Sequence, residues 1–83
     1  MELPEHPVTL TPEQVAELNR KLSAMRHDVN NYLSLMMAAV EMIRLKPEDA
    51  FRRLATLVEQ PPRISRALAE FSSEFEKMLG IRR

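Results

Sequence analysis

Apolar residues recur at alternating steps of three and four along two stretches of the chain. Val15, Leu18, Leu22, Met25, Val29, Tyr32, Met36, Ala39 and Ile43 keep this spacing without a slip. Ala50, Leu54, Leu57, Pro61, Ile64, Leu68, Phe71, Phe75 and Met78 repeat it. Because an α-helix turns once in about 3.6 residues, this period puts one apolar stripe along each of two long helices. The stripes run from residue 15 to 43 and from 50 to 78, so they match in length when the chain folds back on itself.

The breaks between stripes are chemically explicit. Thr11 can cap a helix, Pro12 suits its first position, and Gln14 completes a capping box. In "LKPEDA", Pro47 stops one helix and opens the next, with Glu48 and Asp49 in the first turn facing the positive end of the helix dipole. Gly80 closes the second helix as a C′ residue. The expected helices cover about 12–45 and 47–79, after an extended or disordered tail at 1–10 that carries two prolines and no period. Pro61 and Pro62 lie inside the second helix, where each removes a backbone hydrogen bond at a cost of about 3 kcal/mol. They predict a kink at 61–62, or a division of that helix into two.

Each stripe is wider than a two-stranded coil requires. Leu33, Met37 and Val40 broaden the first, and Phe51, Val58 and Leu79 the second. One hairpin cannot cover both flanks of such stripes. The expected fold is therefore all-α: an antiparallel helical hairpin that pairs with a second copy as a homodimeric four-helix bundle.

Composition narrows the function classes. The 83 residues hold one domain at most, with one glycine, one tyrosine and no tryptophan, which favours helices over a sheet. A formal net charge of zero gives no electrostatic reason to expect nucleic acid or an anionic membrane. The absence of cysteine excludes disulfides and thiol catalysis. The longest mostly apolar run, residues 33–40, falls far short of the roughly 18 residues of a membrane span. The first ten residues have no basic n-region, so a cytoplasmic protein is expected.

One segment breaks the pattern. "MRHDVNNYL", residues 25–33, puts a histidine, an aspartate and two asparagines into a stripe built for Leu and Met. With Leu22 and Met25 in the seam, His27 falls at the position farthest from it. Asn31 and Ser34 share that outer strip and Asp28 flanks it. A turn near Lys46 and Pro47 pairs residues whose numbers add to about 93, bringing Arg63 and Arg66 level with Asn30 and His27. One histidine and one carboxylate make a poor metal site. The methionines read as core filler, and Arg52, Arg53, Arg82 and Arg83 as a solvated face.

"RHDVNNYLSLMMAAVEMI" resembles the phosphoacceptor box of sensor histidine kinases, in the subgroup reading His-Asp-aromatic-Asn-Asn-Leu-Leu. "RISRALAEFSSEF" resembles the second helix of the same dimerisation and histidine-phosphotransfer domain. The resemblance covers residues 11–80. It departs at Val29, where an aromatic is common, and at Tyr32, where Leu or Pro usually follows the second Asn.

The resemblance implies that His27 is the phosphorylated residue, since a neutral imidazole nitrogen attacks phosphorus and forms a labile N–P bond. It implies that Asp28 accepts the other ring proton, that Asn31 helps place a water for dephosphorylating a partner, and that Asn30 assists either task. The receiving group would be an aspartate of a response-regulator receiver domain, with Mg²⁺ held by that partner and no cofactor bound by this chain. Arg26, Arg63 and Arg66, with Ser34, would meet the partner's acidic pocket. No glycine-rich phosphate loop is present, so the chain by itself is not an ATP-dependent kinase. It reads as a phosphotransfer protein, as the dimerisation and phosphoacceptor part of a kinase, or as a helical adaptor or inhibitor that binds a kinase or receiver without phosphorylation.

Overall fold

A computed structural model describes residue 4 and residues 6–80. Two long helices form an antiparallel hairpin: α1, Pro12–Leu45, and α2, Ala50–Leu79. A single 3₁₀ turn, Pro47–Asp49, joins them. The hairpin is a rod of 58 × 25 × 12 Å, one helix thick. No helix among the described residues is long and apolar enough to cross a membrane.

Local chemistry fixes each end. The Gln14 N–H donates to Thr11 Oγ1 at 3.1 Å, and the Thr11 N–H donates to Gln14 Oε1 at 2.8 Å. These two bonds satisfy donors that a helix start leaves open, and Thr11→Ala should cost about 1 kcal/mol in denaturant unfolding. At the other end Gly80 takes φ 71° and ψ 21°, a left-handed conformation that glycine adopts without a Cβ clash.

The turn sets a register two residues later than the sequence suggests. Lys21 Nζ donates to Glu74 Oε2 across the helices at 2.9 Å, and these residue numbers add to 95, not 93. The reason is the 3₁₀ turn. Lys46 leaves α1, three further residues take the chain round, and α2 begins at Ala50. This ion pair holds the Glu74 carboxyl below its ordinary value near 4.5, chiefly through the Lys21 hydrogen bond, with Lys21 and Lys77 charges adding to it. A depressed carboxylate pKa stabilises the fold fully above the unfolded value and progressively less as pH falls through the folded one. Thermal melts should therefore lose part of their midpoint below about pH 4.5. Glu74→Gln should flatten that loss.

On α1 the buried edge follows the stripe from Leu18 to Ile43. On α2 the line of contact differs from the expected stripe. The residues that turn toward α1 are Ala50, Arg53, Leu57, Gln60, Ile64, Ala67, Phe71, Glu74 and Met78. Leu54, Pro61 and Leu68, expected in the seam, are exposed. The apolar arc of α2 is broader than one partner helix can cover, so one edge meets α1 and the other faces outward. Phe71 and Phe75 straddle that boundary, their ring centroids 6.1 Å apart.

The result is a hairpin with little core of its own. Ala39, at 3% exposure, is the one fully buried apolar residue among those described. Phe51 is 93% exposed, Met37 72% and Val58 65%, and Leu33, Val40, Leu54 and Leu68 are also open. These side chains lie on one broad face. Leu33 and Val40 each follow a seam residue of α1 by one position, as Leu54 and Leu68 do on α2. In antiparallel helices these two flanks turn to the same side. The residues that precede the seam, including Lys21, Asp28, Arg63 and Glu70, line clefts on the opposite, charged side.

α2 continues unbroken through its double proline. Pro61 and Pro62 cannot donate to the carbonyls of Leu57 and Val58. One turn earlier, Gln60 Nε2 donates to the Thr56 carbonyl at 2.9 Å.

Candidate functional site

His27 projects from the middle of α1 and is exposed, as are Arg26, Asp28, Asn30, Asn31 and Ser34 around it. The helix explains the arrangement. Met25, Val29 and Tyr32 turn toward α2, which leaves His27 on the opposite side, with Asn31 and Ser34 one and two turns along.

The neighbours of His27 divide between the two faces of the hairpin. Asp28 turns toward the charged side, where it lines an open cleft with Tyr32, Arg63, Arg66, Ala67 and Glu70. That cleft runs into a second one lined by Arg20, Lys21, Met25, Phe71 and Glu74. Arg26 and Asn30 flank α1 on the apolar side. The expected basic rim is therefore split: Arg63 and Arg66 accompany Asp28, and Arg26 stands apart. His27 lines neither cleft and sits on the ridge beside them.

The two arginines differ. Arg63 Nη2 lies 3.8 Å from Glu59 Oε2, a loose pair on its own helix. Arg66 makes no ion pair among the described residues, so its charge is open to an anionic visitor. Glu70, on the same cleft wall, balances it in part. The sequence placed Tyr32 in the seam and the His27 box without giving it a part in this cleft, and did not single out Glu70 or the nearby Lys21–Glu74 pair. The spacing of the two helices finds them once the register is set at 95, because Asp28 then faces Ala67.

Among the described residues there is no group of three His, Cys, Asp or Glu side chains that could hold a metal ion. What the arrangement offers is a solvent-facing imidazole, a carboxylate in the next position, and two guanidinium groups across a shallow cleft. Compared with protein-family models, curated proteins and solved structures, the chain finds no match.

Proposed function

We propose that the chain is a phosphotransfer protein or phosphoacceptor domain of two-component signalling, working as a homodimeric four-helix bundle. The observation that carries this reading is the exposed His27 in mid-helix, followed by Asp28 at a cleft that holds Arg63 and Arg66. The sequence resemblance of residues 25–33 supplies the chemistry.

In this mechanism a neutral ring nitrogen of His27 attacks the phosphorus of an aspartyl phosphate on a receiver domain. The N–P bond forms as the acyl O–P bond breaks, and the receiver's carboxylate leaves. The same path runs in reverse. Asp28 accepts a hydrogen bond from the other ring nitrogen and steadies the charge that develops on the imidazole. Arg63 and Arg66 attract the receiver's acidic pocket, whose Mg²⁺ belongs to the partner. Asn31, with Asn30 beside it, orients a water when the receiver is dephosphorylated. Arg26 and Ser34 contact the partner at the edge of this surface, and a kinase is a second candidate partner.

The exposed apolar face supports the dimer. Burying a Leu- or Phe-sized side chain stabilises an assembly by about 1.5–3 kcal/mol, and this face carries seven such residues in the open. A second copy offers the same face in return, as a two-fold interface requires.

The test is transfer. Incubated with a panel of phosphorylated receivers, the protein should acquire a label that survives base and is lost in acid. Asp28→Asn should slow labelling on the order of a hundredfold. Asn31→Ala should leave labelling intact and reduce receiver dephosphorylation. No label from any receiver, with binding that persists in His27→Ala, would favour the adaptor reading instead.

A further inference from the structure

We propose that Gln60, Pro61 and Pro62 form a hinge in α2, about which the segment carrying Arg63 and Arg66 moves relative to the segment nearer the turn. Three observations meet at this point. The prolines leave the carbonyls of Leu57 and Val58 without their helical donors, so two consecutive rungs of the helix are missing. Gln60 is 2% exposed, and its Oε1 is sealed from water with no hydrogen-bond partner. Its Nε2 is already committed to the Thr56 carbonyl. On the side away from the seam Pro62 is exposed, so no packing braces the weak rungs there.

A sealed acceptor without a partner is costly, and that cost vanishes when water reaches it. Bending α2 at residues 60–62 opens the seam at Gln60 and hydrates Oε1. The closed helix thus carries a penalty that the bent helix relieves, at the place where the backbone resists bending least. Arg53 Nε, two turns toward the turn end, is likewise sealed without a partner, which makes that stretch of the seam the least satisfied among the described residues.

The hinge divides the hairpin at a useful place. Before it, Arg53 and Thr56 line a small cleft with Leu35, Ala39 and Met42. After it, Arg63, Arg66 and Glu70 face Asp28 and Tyr32. Motion about residues 60–62 therefore shifts the basic edge of the cleft relative to His27 and Asp28. Resting on the phosphotransfer reading, this makes the hinge a regulator of how an acidic partner is seated at His27.

Hydrogen exchange on the full chain tests the hinge apart from the function. In the wild-type protein, amides at 57–60 and 63–66 should exchange faster than those on either side along α2. Pro61→Ala with Pro62→Ala restores both missing donors, and Gln60→Leu removes the unsatisfied acceptor at similar volume. Each variant should slow those amides on the order of tenfold. Level protection through wild-type α2, or faster exchange in Gln60→Leu, would overturn the hinge whether or not His27 carries phosphate. If the amides slow as expected and labelling from a receiver also slows, the hinge regulates transfer. Slowed amides with labelling unchanged would overturn its regulatory role.

Discussion

A chain carrying Met37→Glu and Val58→Glu is expected to sediment at half the mass of the wild-type protein and to lose much of its helical signal. Wild type should sediment as a dimer at micromolar concentration. Both residues are among the most exposed apolar side chains of the hairpin and lie level with each other, on α1 and α2. In a four-helix bundle both would be enclosed, and an enclosed carboxylate without a partner costs several kcal/mol or forces the interface apart. Helicity should fall with mass because the separated hairpin has one fully buried apolar residue among those described. In proteins, helices gain most of their stability from tertiary packing, not from propensity. Ser73→Glu, on the charged side of α2, is the control and should leave mass and helicity unchanged. A wild-type protein that is a stable, fully helical monomer would refute the dimer.

His27→Ala is expected to abolish phosphoryl labelling while changing stability by about 0.5 kcal/mol or less. The two effects separate because His27 is exposed and makes no seam contact that alanine would vacate. Alanine is also the better helix former, so circular dichroism should show no loss of helix. His6, the other histidine, precedes α1 and should be replaceable without effect on labelling. Labelling that persists in His27→Ala would remove the phosphoacceptor from this position.

Much of this fold is legible in the chain because its signals are local. Thr11 and Gln14 form the capping box that their spacing announces, and Gly80 takes the left-handed conformation expected of a C′ glycine. The α1 stripe reads correctly because that helix has a single buried edge from Leu18 onward. The α2 stripe reads less well, and the reason is physical. Periodicity locates the centre of an apolar arc, whereas packing decides which edge of it meets a given neighbour. Leu54 and Leu68 mark that centre, yet Arg53, Gln60 and Ala67 take the inner positions. The outward tilt of the arc is itself informative, since it leaves an apolar face uncovered.

The register shows the same limit. Pro47 announces a turn but does not specify the 3₁₀ residues that move the pairing from 93 to 95. The outward position of His27 follows from the stripe alone, because it depends only on Met25 and Val29 of the same helix. The company of Asp28 across the cleft depends on the turn, so Glu70 emerges only from the folded chain. Gln60 is the least legible residue. A glutamine before two prolines gives no sign in the sequence that it is sealed inside the seam.

The chain has two histidines, which permits one direct measurement of the central claim. With the imidazole rings isotopically labelled, both give separate nuclear magnetic resonance signals. On addition of a phosphorylated receiver with Mg²⁺, the His27 ring signals should move to new positions and decay back as the phosphoryl group passes on, while those of His6 stay fixed. If the His27 signals remain in place while receivers bind, the chain does not carry phosphate and its histidine is not a phosphoacceptor.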